Sequence, residues 1–140
     1  MLVLDTDHMS LLERGTKESS TLRERLADIA PDDVATTIIS YEEQMRGWMA
    51  YVARARSMAQ QLGAYGRLRR HLENYRQVRV LDFDEAGAEE FQRLPRTRIR
   101  IGTMDLKIAA IVLSHDAILL SRNRADFSQV PNLKVDDWTQ

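Results

Sequence analysis

Residues 101–120 read IGTMDLKIAAIVLSHDAILL, and this stretch decides the fold. From Thr103 the apolar residues Leu106, Ile108, Ala109, Ala110, Ile111, Val112 and Leu113 cover almost the whole circumference of a helix. A helix that is apolar nearly all round belongs in the interior, with Thr103 as its expected cap. The run Ala117 to Leu120 follows at once and reads as a buried strand. A buried helix feeding a buried strand is the unit of a parallel sheet wrapped by helices.

The same alternation extends outward. Leu2-Val3-Leu4 is a short apolar strand ending in Asp5. Thr6 or Asp7 is placed to cap a helix carrying Met9, Leu11 and Leu12, with Gly15 stopping it. A second helix is expected over 18–30, a turn at Pro31-Asp32-Asp33, and a strand from Val34 to Ile39. Ser40 and Glu43 then have capping-box spacing at the head of a helix reaching about Arg56. A further helix over 57–77 makes a hairpin with it. Val78 to Leu81 is a third strand, Asp84 to Leu94 an acidic helix, and 95–101 a basic loop. Leu133-Lys134-Val135 is a short last strand. The expectation is one α/β domain over 1–140, with a central parallel sheet of four to five strands.

Composition narrows the chemistry. The 140 residues contain no cysteine, which excludes disulfides, thiolate zinc sites and cysteine nucleophiles. No apolar stretch is long enough to span a bilayer. The opening MLVLDTD meets charge at Asp5, unlike a signal peptide, so a cytoplasmic protein is expected. The net charge of −1 conceals arginine clusters, one between Arg46 and Arg79 and another at Arg93, Arg96, Arg98 and Arg100. A near-neutral total is therefore compatible with an anionic partner, although solvated helix faces or a protein contact explain the same arginines.

In open parallel sheets, ligands bind beyond the carboxyl ends of the strands. Asp5, Glu43, Asp105 and Asn123 all fall at such places, with Asp126 close behind. Each has an ordinary explanation alone: a strand end, a capping acid, an acid at a positive helix terminus, a turn residue. Together they form a concentrated negative site that a divalent cation would neutralise. All-oxygen ligands suit Mg²⁺ or Mn²⁺ better than zinc.

These residues also resemble a known family. LDTDHMSLL (4–12), IISYEEQMRG (38–47), IGTMDLKIAAIVL (101–113) and LLSRNRADFSQVPNLKVDDW (119–138) are similar, in order, to the motifs of VapC-type PIN-domain toxins. The second motif selects Glu43, four residues before Gly47, over Glu42. The resemblance implies a three-layer α/β/α sandwich and a Mg²⁺- or Mn²⁺-dependent endoribonuclease. It implies Asp5, Glu43 and Asp105 as metal ligands, with Asn123 or Asp126 completing the set. Ser121, where the family often has Thr, would orient a water. Arg46, Arg98, Arg100 and Arg122 would then hold the RNA backbone. A cognate antitoxin and a homodimer are the implied protein partners. Two other readings remain open. One is a non-catalytic PIN-like module that binds RNA or protein, prompted by the neutral Asn123. The other is a phosphatase similar to haloacid dehalogenases that uses Asp5, although too little chain follows Ser121 to complete that family's motifs.

Overall fold

The computed structural model describes residues 1–14 and 16–140. The expected stop at Gly15 lies outside the described residues. Five short strands form one sheet: β1 (Leu2–Leu4), β2 (Val34–Thr37), β3 (Arg79–Leu81), β4 (Ile118–Leu120) and β5 (Lys134–Asp136). Their order is β3-β2-β1-β4-β5 and every pairing is parallel. Strand β1 is central, with Val3 in register with Ala35 on one side and Leu119 on the other. The chain therefore leaves β1 toward one edge and later returns to its other side. That reversal opens a crevice at the carboxyl end of β1.

The sandwich follows from strand periodicity, since successive side chains point to opposite faces. Val3, Ala35, Leu81 and Leu119 belong to one core, and Leu4, Val34, Val80 and Leu120 to the other. The first core is covered by α5 (Glu85–Arg93) and α6 (Thr103–Ser114). Six consecutive-turn residues of α6, Leu106 and Ile108 to Val112, are buried, as its sequence requires. The second core is covered by α1 (Thr6–Leu12), α2 (Lys17–Ala27) and parts of α3 (Ile38–Arg54) and α4 (Met58–Arg76). Leu22 seals this layer with no exposed surface. Burying such a leucine contributes about 1.5–3 kcal/mol. Among the described residues, no helix is long and apolar enough to cross a membrane.

Several boundaries differ from the sequence expectation, each for a local reason. Strand β2 stops at Thr37, because the Thr37 hydroxyl accepts the Ser40 amide at 3.1 Å and starts α3 at Ile38. Two β-branched residues read equally well as strand or helix, and the cap decides. Ser40 is therefore not the cap, and Glu43 is not a capping acid but sits in the second turn. Asp5, not Thr6 or Asp7, caps α1: its Oδ1 accepts the His8 amide at 2.7 Å. Gly102 occupies the cap position of α6, making Thr103 the first helical residue. Helix α2 spans Lys17–Ala27 rather than 18–30, and a one-turn helix α7 (Arg124–Phe127) lies where no element was expected. Four residues are too few to show a period.

Candidate active site

Asp5 stands just past the carboxyl end of the central strand and is buried, with 6% of its surface exposed. The helix cap consumes its Oδ1 and pins the carboxylate at the crevice. Glu43 reaches the same place from α3. Its Oε1 accepts a hydrogen bond from the Thr6 hydroxyl at 2.7 Å, directly beside Asp5 in the chain. Thr6 also lies 3.1 Å from the Ser40 hydroxyl, which in turn lies 3.3 Å from that of Thr37. This hydroxyl chain locks the start of α3 to the start of α1 and fixes where Glu43 points. Thr6 and Ser40 were not singled out as site residues from the sequence. Their contacts span more than thirty residues, and a lone hydroxyl carries no spacing signal.

Asp105 lies at the third position of α6, half-buried. Its carboxyl is pushed up to about 6, first by burial and then by the negative charges of Glu43, Asp5 and Asp126. Three other carboxylates therefore act on Asp105 through space, although they come from β1, α3 and α7. The structure brings together the expected acids Asp5, Glu43, Asp105 and Asp126.

The fourth-position residues divide the work. The Asn123 amide nitrogen donates to Asp126 Oδ2 at 2.9 Å, so the neutral side chain holds an acid. Ser121 is fully buried, and its hydroxyl accepts the Asn123 backbone amide at 2.9 Å. It shapes the turn that presents Asn123 and Asp126. Of the expected RNA-binding arginines, Arg122 forms a two-pronged ion pair with Asp7, at 2.6 and 2.9 Å. Asp7 holds the guanidinium still more firmly in its charged form. Arg46 pairs with Glu42 one turn earlier on α3. Arg98 and Arg100 are exposed, and the Arg100 backbone amide is tied to the Gln129 side chain at 3.0 Å, just beyond α7. Arg98 and Arg100 are thus the members of this set without an ion pair among the described residues.

The tightest grouping of possible ligand atoms among the described residues is a different one: Asp5, Asp7 and His8, within 4.8 Å of one another. It is poorly suited to a cation. Both Asp7 oxygens already face the Arg122 guanidinium, whose positive charge opposes a metal. The His8 ring has no exposed surface and lies 3.3 Å from Asp5 and 4.0 Å from Asp137. It backs Asp5 from behind. The acids converging on Asp105 have the opposite character. They are mutually repulsive and all-oxygen, with Glu43, Asp105 and Asp126 partly exposed and Asp5 buried, the kind of donor a hard divalent cation takes.

The PIN domain family model matches residues 2–133. The chain belongs to the PIN-domain family. That membership replaces the phosphatase reading of Asp5. Solved structures with the same fold as this PIN domain include VapBC-1 from nontypeable Haemophilus influenzae. It has 24% identity, a TM-score of 0.78, and coverage of 99% of this chain and 98% of that one. VapBC2 from Rickettsia felis has 22% identity, a TM-score of 0.73 and coverage of 98% of both chains. VapBC-5 from Mycobacterium tuberculosis has 22% identity, a TM-score of 0.61 and coverage of 96% of both. At such identities the likeness establishes the three-layer fold with its parallel sheet. A comparison with curated protein sequences finds no match.

Proposed function

We propose that this PIN domain is a divalent-metal-dependent endoribonuclease acting as the toxin of a toxin–antitoxin pair. The observation that carries the reading is the convergence of Asp5, Glu43 and Asp126 on a half-buried Asp105, whose carboxyl is pushed up by burial and by those charges. Such a cluster is unfavourable on its own and becomes favourable around a cation. In this reading Asp5, Glu43 and Asp105 hold Mg²⁺ or Mn²⁺, and Asp126 supplies the fourth charge while Asn123 orients it. When bound, the metal supplies Lewis-acid chemistry at the scissile phosphate and lowers the pKa of a water.

The chain's own residues do the rest. Asp5 is held by its cap bond and Glu43 by Thr6, so both are preorganised before substrate arrives. Ser121 fixes the Asn123 turn and thereby the distance of Asp126 from Asp105. Arg98 and Arg100 bind RNA phosphates, whereas Arg122 chiefly braces Asp7. The non-catalytic reading rested on the neutral Asn123 and weakens once Asp126 restores the charge.

The toxin assignment is supported by structural relatives described as VapBC proteins, one of them titled a member of a toxin–antitoxin family. It is also supported by the apolar side chains left open on the α3–α4 hairpin, among them Met49, Met58, Leu62 and Tyr65, each at least half exposed. A homodimer or an antitoxin covers such a face. A cytoplasmic place of action and a single working domain belong to the same proposal. The test is incubation of the purified chain with total cellular RNA, with cleavage sites mapped at nucleotide resolution. Defined cuts are expected with Mg²⁺ or Mn²⁺ and none with EDTA. Cuts that persist in EDTA would overturn the metal reading.

A further inference from the structure

The acidic cluster does not end at Glu43. On α3 the stripe that begins at Glu43 continues at helical spacing through Gly47, Tyr51 and Arg54. On α1 the stripe that begins at Thr6, the residue holding Glu43, continues to Ser10, and Glu13 and Arg14 follow just past the end of the helix. These two stripes, closed by Arg67 from α4, line a cavity of about 450 Å³. Gln44 ties the walls together, donating to the Ser10 hydroxyl at 2.7 Å and accepting from the Tyr75 hydroxyl. The cavity thus begins one helical turn beyond Glu43 on α3, and the acids themselves do not line it. Its floor at Gly47 lies about 6 Å along the helix axis from Glu43, and Tyr51 about 12 Å.

The lining has a definite chemistry. Trp48 and Tyr51 meet edge to face with ring centroids 5.8 Å apart, and the Arg67 guanidinium lies 5.9 Å from the Trp48 ring. Arg14, Arg54 and Arg67 stand against one acid, Glu13, which accepts from the Asn74 amide at 2.6 Å. Other arginines of this hairpin, Arg46, Arg69 and Arg76, are paired with Glu42 or Glu73. Among the described residues, Arg14, Arg54 and Arg67 have no carboxylate within 4.0 Å. Guanidinium groups without a carboxylate partner, beside a partly exposed Trp48 and an exposed Tyr51, suit a single-stranded nucleic acid: cations for phosphate, rings for bases.

We propose that this cavity is a subsite for single-stranded RNA, taking a base against Trp48 and Tyr51 and its phosphate between Arg54, Arg67 and Arg14, next to the bond held at the acids. It rests on the ribonuclease reading for the identity of its substrate. Gly47 is the lever for testing it. A Cβ there would meet nothing within 4 Å, so a larger side chain projects into the open cavity without disturbing the helix. Glycine is also a poorer helix former than leucine, so Gly47→Leu should melt no lower than the wild type.

The probe is a fluorescein-labelled, ten-nucleotide oligoribonucleotide of mixed sequence, titrated by anisotropy into the full chain with Ca²⁺ in place of Mg²⁺. Gly47→Leu and Trp48→Ala are each expected to weaken binding about tenfold or more, with Mn²⁺ affinity unchanged by calorimetry. Arg54→Gln should lower the slope of log affinity against log salt by about 0.7. A folded Gly47→Leu chain that binds the oligonucleotide like the wild type overturns the subsite, even if RNA cleavage with Mn²⁺ is normal. So does a wild type that fails to bind the probe. So, too, does a Gly47→Leu chain that loses an acidic peptide or protein partner while keeping RNA affinity. A wild type that binds the probe but leaves total cellular RNA uncut with Mn²⁺ refutes the ribonuclease reading, and the subsite is then supported by the loss of binding in Gly47→Leu.

Discussion

Replacing Asp105 by Asn separates a metal ligand from a helix-terminal acid in one preparation. The change is nearly isosteric and removes one negative charge from the cluster. The Asp105 carboxyl rises from 3.8 to about 6 in the fold. A gap of about two pH units corresponds to about 3 kcal/mol of penalty on the ionised form. Because the side chain is half-buried, solvent screening reduces this to about 1.5 kcal/mol. The positive end of α6 favours an anion at Asp105 by about 0.5 kcal/mol, which Asn forgoes. The variant should therefore be more stable than the wild type by about 1 kcal/mol in EDTA at pH 7.5. For a domain of this size, that raises the melting temperature by about 4 °C.

The sign fixes the pH window. A carboxyl raised in the fold favours the protonated native state, so wild-type stability falls as pH rises from 3.8 to about 6. The advantage of Asp105→Asn is then absent below pH 4 and complete above about pH 6. With Mn²⁺ added, the order reverses, because only the wild type gains stability from binding. RNA cleavage should drop by orders of magnitude. Thermal melts at pH 4 and 7.5, with EDTA or Mn²⁺, and a cleavage assay measure all of this. A variant that cuts RNA at the wild-type rate, or melts lower than the wild type in EDTA at pH 7.5, refutes the reasoning.

Other consequences follow from the same geometry. Since Asp105 must lose its proton to bind a metal, apparent Mn²⁺ affinity measured by calorimetry should fall on the order of tenfold per pH unit below about 6; a flat profile from pH 7 to 5 would count against Asp105 as a ligand. Thr6→Val removes the hydrogen bond to Glu43 and should lower kcat about tenfold, at a cost of about 1–2 kcal/mol in urea unfolding; unchanged kcat would show that Glu43 is not positioned by Thr6. Leu62→Glu with Tyr65→Glu alters side chains that are 69% and 57% exposed, so monomer stability should move by less than about 0.5 kcal/mol. Sedimentation should show a wild-type dimer and a monomeric variant, and no change in mass would move the self-association face elsewhere.

Some of the candidate site is legible in the sequence. Asp5 and Asp105 adjoin a short apolar strand and an all-round apolar helix, so their neighbours announce where they stand. Glu43 was expected in the first turn of its helix and lies in the second. The Ile38-Ile39 pair is consistent with either strand or helix, and only the Thr37 cap shows that α3 begins early. Arg122 was expected to face RNA, yet it grips Asp7 across 115 residues of chain. His8 carries no signal of a role in the sequence; it is buried against Asp5 and near Asp137 at the far end of the chain.

Sequence by itself determined the layers. The apolar pattern, unbroken in β1 and β4 and all-round in α6, is local to each segment, and it dictates a buried parallel sheet between helices. It also determined that negative charge would gather at the carboxyl edge. Tertiary structure alone decided which charges meet and in what state. Coulomb energy depends on distance and solvent, and neither is written in residue spacing. That is why the elevated Asp105, the Asn123–Asp126 hydrogen bond beside it, and the arginine-lined cavity beyond Glu43 emerge only when the elements that carry them are packed together.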